Sequence, residues 1–130
     1  MLGRVRKEGK VIDGHSHGLV AAWRIPEVEV SIVGDLDAWS AGHASQVLDE
    51  AMRFRPEVLV LDMARCRSLD TAGALLIVQT HQRMRYSGGS LSVRSALPQV
   101  VMTLRAADEY GALHVVGAGQ RLPRHAADGR

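Results

Sequence analysis

The stretch "VLVLDMARCRSLDTAGALLIV", residues 58–78, joins a strand pattern directly to a helix pattern. It begins with four apolar residues that do not alternate with polar ones, which is typical of a central strand covered on both faces. Asp70 can cap the following helix, because its carboxylate can accept from backbone N–H groups two or three residues further on. Residues 72–78 are apolar on nearly every side, so we expect Leu75 and the start of this helix to be buried.

The flanking segments continue the pattern in both directions. Upstream, Ser40 is expected to cap a helix whose apolar residues recur on one face, namely Ala44, Val47, Leu48, Ala51 and Met52. Downstream we expect a helix end at "SGG" (87–89), a half-buried strand "SLSVRS" (90–95), a helix from Pro98 and a closing strand in "YGALHVV" (110–116). The order of helix, buried strand and helix predicts an α/β fold with a crossover connection.

The ends of the chain lack such periodicity. "GLVAAWRI" (18–25) and "VEVSIV" (28–33) are short apolar segments separated by Pro26 and Glu27, and they predict a hairpin. Residues 1–17 and 118–130 carry glycine, charge and histidine without a sustained pattern, so we expect a mobile N-terminal arm and a mobile C-terminal tail. The predicted domain therefore spans residues 18–117.

Composition narrows the function classes. A chain of 130 residues fits one domain, and its net charge of +2 with 4% aromatic residues gives little basis for nucleic-acid binding. A single cysteine excludes an internal disulfide. No charged segment leads into a long apolar run, so we expect a cytoplasmic protein without membrane insertion.

Three motifs carry a resemblance to a known family. "VGDLD" (33–37) is similar to a strand-ending Gly-Glu-Leu-Asp, with Asp35 in place of glutamate. Residues 59–73 are similar to a buried strand that leads into an Asp-Ser-Ser-Gly or Asp-Ser-Thr-Gly motif. "GGSLSV" (88–93) is similar to the glycine pair and strand that follow this motif. In this order and spacing they resemble the STAS domains, named for sulfate transporters and anti-sigma factor antagonists. The resemblance covers about residues 18–117 and implies a single STAS-like domain, with a mixed four- to five-stranded sheet packed with helices, and neither a catalytic centre nor a cofactor.

For the antagonist branch the resemblance implies a switch. The unmodified protein pairs with an anti-sigma factor that has serine/threonine kinase activity, and phosphorylation at the helix start abolishes the pairing. Thr71 and Ala72 match the family's two hydroxyl positions, so Thr71 is the acceptor that remains in the motif. Asp37 and Asp70 match acids that flank the acceptor, and with Thr71, Ala72 and Gly73 they form the expected partner-binding set. A weak homodimer is left open.

A second interpretation stays open beside this one. Asp70 and Thr71 can be simply a helix cap and a small first-turn residue. The chain would then be a non-phosphorylated STAS assembly subunit of a transport complex or a stress-signalling scaffold. An exposed apolar patch beside Thr71 favours the regulatory module, whereas a hydroxyl sealed in the core favours the assembly subunit. Gly73 is interpreted as a packing glycine, since a nucleotide cradle needs further glycines and a lysine.

Other reactive residues give no site. His15 and His17 in "GHSHG" could face one ion, but Cys66 and the remaining histidines lack the paired spacing of a zinc site, so no metal is predicted. No Gly-x-Ser-x-Gly nucleophile motif is present, and we expect no enzyme. Cys66 is expected in a modestly exposed loop, where Arg65 and Arg67 favour a thiolate. A redox role and a loop-filling role both remain open for it.

Overall fold

The computed structural model describes residues 2–8, 25–109 and 111–119 of the chain. In chain order its elements are β1 (Leu2–Glu8), β2 (Ile25–Leu36), α1 (Ala41–Met52), β3 (Pro56–Leu69), α2 (Thr71–Tyr86), β4 (Ser90–Ala96), α3 (Pro98–Ala107) and β5 (His114–Gly117). The helix start at Pro98 and the end of α2 before "SGG" are as predicted. Among the described residues no helix is both long and apolar enough to cross a membrane.

The sheet has five strands in the order β1-β2-β3-β4-β5. β1 runs antiparallel to β2, and the remaining neighbours are parallel. Parallel neighbours need a crossover connection, and α1, α2 and α3 supply one for each parallel pair. The predicted mixed α/β sheet with helical crossovers is therefore confirmed.

The core lies between the helices and one face of this sheet. Alternate strand residues belong to it, namely Val28, Val30, Ile32, Leu59, Leu61, Met63, Leu91 and Val93, together with helix residues that include Ala44, Leu48, Ile77 and Leu104. Val60 lies between Leu59 and Leu61, which face the helices, so its side chain points to the opposite face of the sheet. It is fully buried there as well. β3 is therefore the central strand covered on both faces that its apolar sequence predicts.

The beginning of the domain differs from the sequence prediction. Pro26 and Glu27 lie inside β2 and form no turn, so the predicted hairpin is wrong there, while residues 18–24 lie outside the described part of the chain. β2 pairs instead with Leu2–Glu8, in a register from Leu2 opposite Val33 to Glu8 opposite Glu27. An edge strand needs only one hydrogen-bonded neighbour, so a polar segment can join a sheet without apolar periodicity. The expected arm 1–17 is thus wrong for residues 2–8; its remainder and residues 120–130 of the tail are not described.

β3 is longer than predicted. It continues as far as Leu69, so the segment expected to be a short loop is a strand that pairs with the end of β2. Cys66 lies on it and is fully buried, and the predicted exposure of this residue is wrong. Burial raises the pKa of the Cys66 thiol above its ordinary value of 9.0, and the nearby Asp35 carboxylate acts in the same direction. The thiol form is therefore favoured, which gives no support to a redox role.

The orientation of α2 corrects a further prediction. Leu75 is 44% exposed, whereas Ile77, two residues later, is fully buried. An apolar sequence on all sides of a helix does not determine which side packs, and here the sheet takes the side that contains Gly73, Ala74 and Ile77. Leu75 is consequently a surface residue on the helix that begins at Thr71.

Candidate functional site

Asp70 joins the start of α2 to the loop that follows β2. Its backbone is extended, and its Oδ1 accepts a hydrogen bond from the Gly73 N–H at 2.9 Å, so the predicted N-cap is confirmed. Its Oδ2 accepts from the Ala38 N–H at 3.1 Å, and its own N–H donates to the Leu36 carbonyl at 3.2 Å. The carboxylate thus fixes the helix start and the neighbouring loop in one arrangement.

The loop formed by residues 37–40 is held by bonds between its own side chains and backbone. Asp37 Oδ1 accepts from the N–H groups of Trp39 and Ser40, at 3.0 and 3.1 Å. The Ser40 hydroxyl accepts from the Asp37 N–H at 3.0 Å and donates to the Asp35 carbonyl at 2.9 Å. Ser40 precedes α1, but its side chain caps no N–H of that helix, so the predicted capping role is wrong. The loop presents Trp39 with 95% of its surface exposed.

Asp35, the residue that replaces the family glutamate, links β2 to β3 beneath this loop. Its Oδ1 accepts from the Ser68 hydroxyl at 3.0 Å and lies 3.7 Å from an Arg67 guanidinium nitrogen. The register between the two strands shifts between Gly34 and Asp35, where Gly34 has φ +88°, a conformation that suits glycine. Beyond this shift, the end of β2 lies at the start of α2, where the Leu36 carbonyl accepts from the Asp70 N–H.

Gly73 allows the close approach of α2 to that strand end. A Cβ atom at this position would lie 2.5 Å from the Leu36 carbonyl oxygen and 2.8 Å from side-chain carbons of Leu36 and Leu69. These distances are too short for any larger residue, which supports the interpretation of Gly73 as a packing glycine. Because Gly73 is buried, its contribution to the site is to position the exposed residues before it.

Thr71 is exposed on the first turn of α2, and Ala72 beside it is half-buried. Within the described part of the chain the Thr71 hydroxyl has no hydrogen-bond partner, and the N–H groups of Thr71 and Ala72 have no acceptor, as is usual in a first helical turn. Leu75 follows one turn later on the same face, and Trp39 projects from the loop tied to Asp70. We call these four residues, Trp39, Thr71, Ala72 and Leu75, the Thr71 surface.

The structure thus brings the predicted site residues together at one place. Asp37, Asp70, Thr71, Ala72 and Gly73 all lie at the start of α2 or in the loop bonded to it. The sequence prediction missed Trp39 and Leu75, which supply the exposed apolar part. Trp39 could have been found from the sequence, because a tryptophan in a loop is conspicuous in a chain with 4% aromatic residues.

Metal ligands are not grouped in the described part of the chain. No set of three or more His, Cys, Asp or Glu side chains there is arranged to hold an ion. His15, His17 and His125 lie outside the described residues.

Comparison with known proteins connects this geometry to a family. The family model of the STAS domain matches residues 21–115. The chain belongs to the STAS domain family. No curated protein matches the chain.

Solved structures share the STAS fold with this chain. The anti-sigma factor antagonist SpoIIAA in its unphosphorylated form is 14% identical and has a TM-score of 0.56, over 79% of this chain and 86% of that one. An anti-sigma factor antagonist from Mycobacterium paratuberculosis is 18% identical with a TM-score of 0.57, over 85% and 86% of the two chains. SLC26A9 is 14% identical with a TM-score of 0.59, over 72% of this chain but 18% of its own. At these identities the likeness concerns the fold.

Proposed function

We propose that this STAS domain is a cytoplasmic regulatory module of the anti-sigma factor antagonist type. It pairs with an anti-sigma factor that has serine/threonine kinase activity, and phosphorylation of Thr71 switches the pairing off. The observation that carries the proposal is the exposed Thr71 at a helix start that carries the exposed Leu75 one turn later and is hydrogen-bonded, through Asp70, to the loop that carries the exposed Trp39. Tryptophan is enriched among the residues that contribute most to protein interfaces, and an exposed apolar patch is typical of a protein-binding surface.

Local charge supplies the switch. A phosphate on Thr71 adds about −1.5 to −2 charges. The unused N–H groups of the first turn and the positive end of the helix can hold that charge in place. Asp70 and Asp37 are fixed nearby by their own backbone hydrogen bonds and cannot turn away without losing them. The modification therefore adds a strongly anionic group beside two fixed carboxylates, on a surface that also carries the exposed apolar side chains of Trp39 and Leu75.

In this proposal the domain is the substrate of the modification and has no catalytic role. The Thr71 Oγ1 attacks the γ-phosphorus of ATP bound to the partner, the bond from that phosphorus to the leaving ADP breaks, and the hydroxyl proton passes to a base of the partner. The exposure of Thr71 is what this transfer requires of the chain, because the hydroxyl must enter a second protein's active site.

One observation favours a second candidate function. Ala72 occupies the other hydroxyl position of the motif, so half of the family's acceptor pair is absent. A domain that used the same surface for permanent assembly, in a transport complex or a stress-signalling scaffold, would not need an acceptor at either position. The exposure of Thr71 is what ranks this candidate second.

Capture of the tagged full chain from a lysate of its native cells, followed by mass spectrometry of the bound proteins, tests the proposal. We expect an anti-sigma factor with a kinase domain among them, and a phosphate on Thr71 after incubation with that partner and ATP. Thr71→Ala is the matched control, which should bind and carry no phosphate. Capture of transport or scaffold components instead, with Thr71 unmodified, would support the assembly subunit and reject the switch.

A further inference from the structure

The side of α2 that points away from the sheet carries a line of exposed, uncharged residues. Residues eleven positions apart in an α-helix lie on the same side, because eleven residues make about three turns. Leu75 and Tyr86 have this separation, Gln79 and Gln82 lie between them on the same side, and all four are exposed. Ile77, which is fully buried, lies on the opposite side. We call Leu75, Gln79, Gln82 and Tyr86 the outer stripe of α2.

The composition of the outer stripe is unusual for a surface helix. Such a helix normally presents charged residues on the side opposite the core. On α2 the charged residues Arg83 and Arg85 lie on the two flanks of the stripe, and Arg83 is paired with Asp49 of α1 at 2.9 Å. The two ends of the stripe are apolar, with Leu75 44% exposed and Tyr86 96% exposed. Exposed apolar side chains aligned along one helix are typical of a surface that another helix covers.

The order of residues in the outer stripe indicates which helix that is. A two-fold interface needs a self-complementary surface, because every contact occurs twice with the partners exchanged. If α2 of a second copy packs antiparallel with the two-fold axis at the midpoint of the stripe, each Leu75 lies opposite a Tyr86 and each Gln79 opposite a Gln82. Apolar side chains then meet each other, and so do side-chain amides, which both donate and accept hydrogen bonds. The stripe is therefore complementary to itself.

The charges beside the outer stripe agree with this arrangement. A groove of about 590 Å³ runs along one flank of α2, with Arg85 on the helix and the carboxylates of Asp108 and Glu109 on the opposite wall. In an antiparallel pair of helices the same flanks meet, so Arg85 of each copy lies on the side of the second copy's Asp108 and Glu109. Opposite charges attract there, once for each copy. The mixed charge of the groove is thus complementary to a second copy of this chain.

We propose that the outer stripe of α2 is a self-association surface, and that its partner is a second copy of the chain packed antiparallel along it. A single pair of helices makes a small interface, so the dimer is weak and reversible. Leu75 also belongs to the Thr71 surface, so the second copy and the kinase partner exclude each other at this residue. That consequence rests on the proposed function, whereas the dimer itself does not.

Sedimentation velocity of the purified full chain over a series of concentrations, without a partner or ATP, tests the proposal. We expect a reversible equilibrium between monomer and dimer. Leu75→Glu and Tyr86→Lys should each weaken the dimer at least about tenfold, because each buries a charge against an apolar side chain. Met102→Glu is the matched control, since Met102 is 72% exposed on α3 and lies outside the groove lining. A monomer at every concentration, or a dimer that neither substitution in the stripe weakens, would overturn the proposal.

The double variant Leu75→Glu with Tyr86→Lys tests the antiparallel arrangement. Each introduced glutamate then faces an introduced lysine of the second copy, so the double variant should dimerise more strongly than either single variant. Within one copy the two positions are three turns apart and cannot pair, so a recovery reports on the contact between copies. Circular dichroism should show the same helix content in all variants, since both positions are exposed. A double variant that dimerises no better than the single variants would contradict the arrangement.

Discussion

At the start of α2 both carboxylate oxygens of Asp70 accept backbone hydrogen bonds, whereas at His81, further along the same helix, both ring nitrogens are without a partner in the described residues. The first arrangement fixes the position of Thr71 and the loop that carries Trp39. The second leaves both ring nitrogens shielded from solvent and, within the described residues, unpaired. Since folded proteins pair nearly all buried polar groups, hydrogen bonds stabilise the start of the helix, whereas the burial of His81 lowers the stability of its later part.

The largest expected effect tests which side of α2 packs into the core. Ile77→Ala should lower the free energy of unfolding by about 2 to 5 kcal/mol, because it removes a fully buried side chain from the core. Leu75→Ala, two residues away on the exposed side, should cost less than about 1 kcal/mol. Chemical denaturation of both variants makes the comparison. A larger loss for Leu75→Ala would place the wrong side of the helix in the core.

Gly73 tests how tightly the start of the helix is packed. Gly73→Ala should destabilise the protein by about 1 to 3 kcal/mol, since its Cβ would overlap the Leu36 carbonyl. Gly42→Ala is the matched control, because Gly42 is also helical but nothing lies within 4 Å of an added Cβ. The control should gain about 0.5 to 1 kcal/mol from helix propensity. Equal changes for the two variants in denaturant unfolding would show that α2 does not approach β2 so closely.

Asp70 tests whether the cap holds the helix and the loop together. Asp70→Ala should cost about 1 to 2 kcal/mol, because the N–H groups of Gly73 and Ala38 both lose their acceptor. Asp49→Ala removes an exposed carboxylate that pairs with Arg83 at 2.9 Å, and it should cost less than about 1 kcal/mol. Thermal unfolding ranks the two variants. A cost for Asp49→Ala that equals or exceeds that of Asp70→Ala would contradict the role given to the cap.

The smallest expected effect concerns His81 and pH. Because burial depresses its pKa in the folded state, the unfolded state binds a proton more readily. His81 therefore does not lower the free energy of unfolding through protonation above about pH 6.5. That free energy falls as the pH drops from 6.5 towards the pKa of His81 in the folded state. His81→Leu should lose less stability than the unmodified protein between pH 7.5 and 5.5, measured by denaturant unfolding. Identical pH profiles would show that His81 is not held neutral by the fold.

The features that the sequence predicts correctly depend on near neighbours. The Asp70 cap follows from the residues immediately after it, the end of α2 from "SGG", and the burial of β3 from its continuous apolar run. Family resemblance added Thr71, which no local pattern separates from an ordinary first-turn residue. The packing role of Gly73 followed from the absence of other phosphate-binding signals.

The features that the sequence did not predict depend on partners distant in the chain. The pairing of Leu2–Glu8 with β2 needs an available sheet edge, and the exposure of Leu75 needs the position of the sheet relative to the helix. Cys66 is buried because β3 continues beside β2 well beyond its apolar run. The burial of His81 depends likewise on the elements that pack against its side of α2. None of these arrangements leaves a periodic signal in the residues concerned.

The central claim is that charge on Thr71 controls partner binding. Calorimetric titration of the co-purified partner with the unmodified protein, Thr71→Ala and Thr71→Glu measures this most directly. Thr71→Ala should keep the affinity, because it trims a small exposed side chain at a position where alanine suits a helix. Thr71→Glu should weaken binding by about 1 to 3 kcal/mol, since one negative charge partly imitates a phosphate beside Asp37 and Asp70. Equal affinity for all three proteins would contradict the account.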